Sequence, residues 1–420
     1  MTAARELDIV LFGATGFVGR LTARHLAEHA PASVRIALAG RSRERLEAVR
    51  RDLPGAAADW PLVVLDALDE TAVADLAART RVVVTTVGPY AKFGMPLAAA
   101  CAEAGTHYCD LTGEVLFVHR SVARNHEAAM LSGARVVHAC GFDSIPSDLG
   151  VMLCADAARA DGAELGRTRL AVRSMKGGFS GGTIDSARTQ ALEMRADPAT
   201  RRIAADPWAL AEGGRPPRGP RLPARGGVAG VVDRATKASP VRRDPDNGHF
   251  TGPFVMAAFN TRVVARSASL LGYGDGFRYT EYSDYGAGPR GAVTASVVSA
   301  GLLGAVGGMA FAPTRAVLDR VLPAPGEGPS EEAMASGRFR MEVTAEATNG
   351  ARYRSVVAAP YDPGYSGTAV MLGQSALALA EEDAGLPDTS GVLTPATGLG
   401  TPLVERLRAH RFTLEVERLS

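Results

Sequence analysis

Short runs of consecutive apolar residues alternate with longer mixed stretches from residue 9 to about residue 148. Ile9-Val10-Leu11-Phe12 and residues 34–40, 61–66, 81–87, 106–110 and 134–139 read as strands. The first of these is apolar throughout, the mark of a buried parallel strand. Residues 20–26, 70–79 and 97–103 lie between them and read as helices. Strands that alternate with helices predict an α/β fold, a Rossmann doubly wound parallel sheet whose ligand crevice lies at the carboxyl ends of the strands.

The pattern changes near residue 150, where a second, α+β substrate domain is expected. Residues 167–175 read as a strand and residues 186–195 as a helix. Residues 339–348 and 351–359 alternate as a hairpin about Asn349-Gly350. Residues 368–382 read as a strong helix and 412–418 as a final strand. Residues 206–253 are rich in Pro, Gly and Arg and read as a long loop or mobile insertion. The expected division is 1–148, 149–365 and 366–420, the last packing back on the domain interface. No internal repeat is visible.

Composition narrows the class. The chain has 420 residues, 46% hydrophobic and 22% charged, with a net charge of +1. This is a globular composition, and no overall field points to nucleic acid. Cys101, Cys109, Cys140 and Cys154 form no C-x-x-C pair, so no metal site is expected and reduced thiols in the cytoplasm are. The N-terminus carries no signal-peptide pattern. Residues 213–243 hold eight basic residues against one acidic. They read as a solvated loop or as a landing strip for an anionic carrier. Residues 291–314 carry no charge. They read as a buried or interface helix, with peripheral membrane or lipid contact as the functional alternative.

The candidate chemistry begins directly after the first strand. Gly13-Ala14-Thr15-Gly16-Phe17-Val18-Gly19 places three glycines at G-x-x-G-x-x-G spacing before a helix. Gly13 permits the turn, Gly16 lets a pyrophosphate approach the backbone, and Gly19 lets the helix pack closely. The helix N-terminus then offers free N–H groups to the anion. The second strand ends in Arg41-Ser42 with no carboxylate, a pair suited to the 2′-phosphate of NADP(H). Asp66 ends the third strand, where adenine is contacted in such folds. Thr86 lies at the end of the fourth, and Gly88, Pro89 and Tyr90 follow it, where ribose and nicotinamide would pass. Asp110 ends the fifth and Glu114 follows it, and Asp143 and Ser144 follow the sixth. For the last four, helix capping stands beside a ligand role.

Four segments carry a family resemblance: the glycine loop, residues 104–114 (Ala-Gly-Thr-His-Tyr-Cys-Asp-Leu-Thr-Gly-Glu), residues 141–148 (Gly-Phe-Asp-Ser-Ile-Pro-Ser-Asp) and residues 176–183. Residues 394–400 fit as well. The chain resembles the saccharopine dehydrogenase-like NADP-binding oxidoreductases, in the branch that includes bacterial trans-acting enoyl reductases of polyketide-type lipid synthesis. That resemblance implies NADP(H) as cofactor, an acyl thioester on coenzyme A or an acyl carrier domain as substrate, and a homodimer. Saccharopine enzymes must grip an amino-dicarboxylate through basic groups. Here the crevice segments offer glycines, hydroxyls and aromatics, with Lys92 and Lys176 the lysines near them. Lysine follows none of the nine tyrosines at the Tyr-x-x-x-Lys spacing of short-chain dehydrogenases.

The expected enzyme is therefore an NADPH-dependent reductase of an acyl carbon–carbon double bond. The expected catalytic residues are Tyr90, Lys176 and Glu114. The expected cofactor residues are Gly13, Thr15, Gly16, Phe17, Val18, Gly19, Arg41, Ser42, Asp66, Thr86, Gly88, Pro89 and Asp143. Two alternatives stand beside it: a non-catalytic NADP(H)-binding partner of a lipid-making complex, and an imine or amino-acid oxidoreductase.

Overall fold

The computed structural model describes residues 5–177, 181–214, 240–244, 246–310, 328–381 and 384–420. The strands of the first sheet are β1 (Leu7–Phe12), β2 (Ile36–Gly40), β3 (Leu62–Val64), β4 (Thr80–Thr85), β5 (His107–Asp110), β6 (Arg135–Val137) and β13 (Gly391–Leu393). Their order is β13-β6-β5-β4-β1-β2-β3, and every pairing is parallel. The doubly wound sheet is thus present, and a late segment extends it to seven strands. β13 is three residues long, too short to show a period.

Helices α1 (Phe17–His29), α2 (Arg43–Arg51), α3 (Glu70–Ala78), α4 (Tyr90–Ala104), α5 (Val115–Ser132) and α6 (Ile145–Ala160) connect these strands and lead out of the sheet. Burial on both faces explains the unbroken apolar runs: Ile9, Val10, Leu11, Val82, Val83 and Val84 are all sealed from solvent. The four cysteines are free and buried.

The second sheet holds β7 (Leu165–Lys176), β8 (Arg242–Arg243), β9 (Phe250–Gly252), β10 (Arg278–Asp284), β11 (Arg338–Ala347), β12 (Arg352–Ala359) and β14 (Thr413–Arg418), in the order β14-β12-β11-β7-β10-β9-β8. β7 and β10 run parallel and the other neighbours antiparallel. One face is wet, so the strands alternate. Phe339, Met341, Val343 and Ala345 point inward, while Arg340 and Glu342 point out and pair with each other. The β11–β12 hairpin turns at Gly350, whose φ of +84° suits glycine. α6 crosses the inner face at Gly150, where an added Cβ would lie 3.1 Å from Val343 Cγ2 and 3.2 Å from Val357 Cγ2. Through α6 the two sheets share one core.

The remaining helices are α7 (Gly181–Ala196), α8 (Pro198–Ala205), α9 (Ala257–Leu271), α10 (Gly288–Ala310), α11 (Glu331–Ala335), α12 (Ser366–Ala380), α13 (Pro395–Gly398) and α14 (Gly400–Ala409). α12 is buried from Gly367 to Leu379 against α1, β4 and β5, which accounts for its strongly apolar sequence. Within the span expected to be one loop, β8 and β9 form a small edge ladder; residues 215–239 and 245 of that span lie outside the described residues. The charge-free stretch forms most of α10, and residues 311–314 lie outside the described residues. α10 packs on β9 and α7 and exposes Val293, Val297 and Val298. Among the described residues no helix is long and apolar enough to cross a membrane.

Candidate active site

The glycine loop runs from β1 into α1 at the carboxyl edge of the first sheet. Gly13 has a φ of +90°, and a Cβ there would meet Thr86 Oγ1 at 2.7 Å and Val87 Cγ2 at 2.8 Å. Only glycine fits between β1 and β4 at this point. A Cβ on Gly19 would lie 2.1 Å from the Gly13 carbonyl oxygen, so α1 rests directly on the loop. Gly16 starts α1 with no side-chain cap. The first N–H groups of a helix have no partner within it, so those of Phe17, Val18 and Gly19 are left to an anion. Thr15 lies in the same turn. Thr86 Oγ1 donates to the Gly13 carbonyl at 3.0 Å and ties the end of β4 to the loop. This cradle fits the pyrophosphate of a dinucleotide.

Glu114 turns out to be a structural clamp. Its carboxylate accepts from the N–H of Tyr90 at 2.8 Å and of Ala91 at 2.7 Å, at the start of α4 where Pro89 offers no side-chain cap. It also accepts from Ser186 Oγ at 2.6 Å, which fastens α7 of the second half to the Rossmann half. Burial pushes the Glu114 carboxyl up, while these hydrogen bonds hold it down.

Tyr90 contributes its ring to the cavity described below, but its hydroxyl points into the protein. The phenol donates to the Thr85 carbonyl at 3.0 Å and accepts from the Leu111 N–H at 3.4 Å. Burial and the Asp110 carboxylate push its pKa well up. Such a proton is held, not offered. Tyr90→Phe is expected to cost about 1 kcal/mol of stability, one hydrogen bond's worth, with turnover within about threefold of wild type. Denaturant titration beside a rate assay checks both. A loss of turnover above a hundredfold would return the proton to Tyr90.

Behind these residues lies a sealed polar cluster. Asp110 accepts from Tyr108 Oη at 2.9 Å and from the N–H groups of Thr112 at 3.1 Å and Ala139 at 2.9 Å. His138 Nδ1 lies 2.7 Å from Asp110, and its Nε2 lies 2.8 Å from Ser121 Oγ. A ring that donates from Nδ1 accepts at Nε2 from Ser121. The trio has the connectivity of a hydrolytic triad, but every member is buried and none lines the cavity. Its work is to lock the turns after β5 and β6. Ala139, at a φ of +63°, is held by that lock.

The cavity has a volume of about 430 Å³, within the range of small-molecule sites. The Rossmann half supplies Gly16 to Gly19, Thr86, Gly88, Leu111, Gly113 and Asp143. The second half supplies Ser186, Gln190 and Met194 from α7, Met256, Ala258 and Phe259 at α9, and Tyr365 ahead of α12. Tyr365 meets Phe17 edge to face at 4.9 Å, closing one end. No arginine, lysine or histidine is among the described lining residues. Asp143 is half-buried and lines the cavity.

Five expected residues, Lys176, Asp66, Ser42, Arg41 and Pro89, are not part of the cavity wall. Lys176 ends β7 opposite Arg338, exposed, and is not part of the cavity wall. β7 continues as a central strand for twelve residues and carries it past the site. Asp66 stands beyond the end of β3, exposed, and accepts from the Leu68 N–H at 2.9 Å to close a turn. Ser42 caps α2 by accepting from the Arg45 N–H at 3.3 Å. Arg41 is exposed at the end of β2, on the cofactor edge. Pro89 is buried at the start of α4 beside the exposed Gly88.

Sequence reading missed Ser186, Gln190, Met256, Phe259 and Tyr365. Ser186 and Gln190 fall on a helix that was read, yet nothing local shows which face meets the crevice. α9 was not read at all, because buried Asn260, Arg262 and Arg266 interrupt its apolar face.

Comparison with known proteins agrees with this architecture. Residues 9–137 match the saccharopine dehydrogenase NADP binding domain. A Mycobacterium tuberculosis protein, provisionally named a trans-acting enoyl reductase, is 47% identical over 432 residues, covering 100% of both chains. The trans-acting enoyl reductase of Mycobacterium bovis is 43% identical, covering 100% of this chain and 99% of its own. Among solved structures, the saccharopine dehydrogenase (L-Glu forming) of Saccharomyces cerevisiae superposes with a TM-score of 0.53 at 11% identity, covering 98% and 99% of the two chains, a likeness of fold. The chain belongs to the saccharopine dehydrogenase-like NADP-binding oxidoreductases, in the group of the trans-acting enoyl reductases.

Proposed function

We propose that this oxidoreductase reduces the carbon–carbon double bond of a 2-enoyl thioester, presented on coenzyme A or on an acyl carrier domain. The observation that carries the reading is the character of the cavity wall. Met194, Val255, Met256, Phe259 and Leu111 face the space beside the cofactor cradle, with no basic side chain among the described lining residues. Such a wall suits an acyl chain. It leaves an amino-dicarboxylate without counter-charges, which is costly in a desolvated site. The names of the relatives support the same reading.

When bound, NADPH supplies a hydride. The chain's part is to hold the β-carbon of the acyl group against the nicotinamide face and to exclude water. Gly13, Gly16 and Gly19 with the N-terminus of α1 take the pyrophosphate, and Thr86, Gly88 and Pro89 flank the nicotinamide end. Arg41 takes the 2′-phosphate, supported by Ser42, with Asp66 towards the adenine. Arg41→Ala is expected to weaken NADPH binding about 10- to 100-fold, one charge-assisted contact's worth, with NADH binding nearly unchanged. Titration with both cofactors checks this; an equal loss for both would remove Arg41 from the 2′-phosphate.

The test of the reaction is cofactor oxidation with 2-enoyl thioesters on coenzyme A and on a carrier domain, with NADH in parallel. Consumption of NADPH and appearance of the saturated thioester support the reading. Turnover confined to amino-acid and keto-acid pairs would replace it with imine chemistry. The exposed Val293, Val297 and Val298 favour a lipid surface as a further partner of α10. Flotation with phospholipid vesicles tests that, and protein left wholly at the bottom of the gradient argues against it.

A further inference from the structure

We infer that Asp143 is the proton donor of the reaction, delivering its carboxyl proton to the α-carbon after hydride addition. The inference rests on the enoyl reductase reading above. The Tyr90 hydroxyl is turned inward onto Thr85, Glu114 is occupied by two backbone N–H groups and Ser186, and Lys176 lies off the cavity wall. The enolate left by hydride addition still needs a proton, and the cavity wall has to supply it or admit water.

Asp143 is the one carboxyl among the described lining residues. It lies between β6 and α6, and its Oδ1 is 3.7 Å from where a Cβ on Gly113 would stand, so the carboxyl borders Gly113 on the cavity wall. Its hydrogen bond among the described residues comes from its own amide. Unlike Glu114 or Asp110, it is not committed to the fold. Thr86 and Gly88 line the same cavity, so Asp143 shares a wall with the residues that would flank the nicotinamide end.

The surroundings favour the protonated acid. The titratable groups about it are Asp110 from β5, Glu114 from the loop before α5, Tyr90 from α4, and Tyr365 on the facing wall. None is a cation. Burial, reinforced by the Asp110 carboxylate, pushes Asp143 up to about 7, close to where a general acid works best at neutral pH.

The β-carbon receives a hydride from NADPH, which becomes NADP⁺, and the π electrons move to the α-carbon and thioester oxygen. The Asp143 O–H bond breaks, its proton forms the new C–H bond at the α-carbon, and the carboxylate is reprotonated by solvent.

The test uses the full chain and three readouts on wild type and Asp143→Asn. Difference infrared spectroscopy of the cofactor-free protein should show a protonated carboxyl band that fades as pH rises through about 7 and is missing in Asp143→Asn. NADPH binding, measured by fluorescence titration, should stay within about threefold in the variant. The kcat of wild type with a 2-enoyl thioester should fall above that pH, while the variant should turn over about 10²- to 10⁴-fold more slowly with no such limb. A variant that keeps wild-type kcat and pH profile overturns the inference, as does a carboxyl that titrates in the ordinary range. A variant that loses NADPH binding in proportion to activity makes Asp143 a cofactor ligand, which also overturns it. If wild type reduces no enoyl thioester while its cofactor binding and infrared titration are as expected, it is the enoyl reductase reading that fails.

Discussion

Gly19→Ala is expected to raise the Kd for NADPH at least about a hundredfold, a change near 3 kcal/mol. The cause is backbone against backbone. The new Cβ would sit 2.1 Å from the Gly13 carbonyl oxygen, 2.9 Å from its carbon and 3.0 Å from Ala14 Cα. No flexible side chain can yield there. Either α1 lifts off the loop or the loop turns, and both misdirect the N–H groups of Phe17, Val18 and Gly19. Each charge-assisted hydrogen bond lost to the pyrophosphate is worth about 1.5–3 kcal/mol. Gly16→Ala is the informative contrast. Its nearest neighbour would be the Gly13 carbonyl oxygen at 3.3 Å, a tight contact that asks only a few tenths of an ångström of the loop, so the loss should be smaller. Fluorescence titration with a circular dichroism control measures both, and a Gly19→Ala protein that binds NADPH like wild type would contradict the cradle.

Asp110→Ala is expected to cost about 4 kcal/mol of folding stability, the scale of breaking a buried, hydrogen-bonded charged group. The substitution leaves Tyr108 Oη, His138 Nδ1 and two backbone N–H groups facing a void. Asp110→Asn keeps the shape but sets an amide donor against donors, and should fall between. His138→Ala and Ser121→Ala should lower stability without the complete loss of turnover that a working triad would show. Urea denaturation midpoints order these variants; a cost below about 1 kcal/mol for Asp110→Ala would mean that water fills the site and satisfies the donors.

How much of this was legible in the sequence depends on how local each feature is. The glycine loop is a strand, a turn and a helix start within a dozen residues, so its glycines could be given roles before any contact was known. The strand ends were also legible, because a parallel sheet brings its carboxyl ends to one edge. Side-chain direction was not. Tyr90 sits where a donor would sit, but its phenol is drawn back onto the Thr85 carbonyl. Glu114 was read as an orienting group, with capping as the alternative; its partners are the start of the preceding helix and Ser186 on α7.

The far wall of the cavity was the least legible part. α9 carries Arg262 and Arg266 inside the protein, where their guanidinium groups donate to the carbonyls of Ala204, Ala258, Leu210 and Val392. Buried arginines that serve backbone carbonyls look, in one dimension, like solvent-facing residues of an irregular segment. The apolar contribution of Met256 and Phe259 is hidden with them. β13 was lost for the opposite reason, since Gly391-Val392-Leu393 is too brief to show a pattern and becomes a strand only because β6 offers it an open edge.

On the proposed reading, hydride goes from NADPH to an acyl carbon in a cavity walled largely by apolar side chains. The most direct measurement is transfer of deuterium from NADPH labelled at C4 of the nicotinamide, with a 2-enoyl thioester as acceptor and mass spectrometry of the product. One deuterium on the β-carbon of the saturated acyl group is the predicted result. An acyl product without label, or label recovered only on a carbon bonded to nitrogen after incubation with amine and keto-acid pairs, would contradict it.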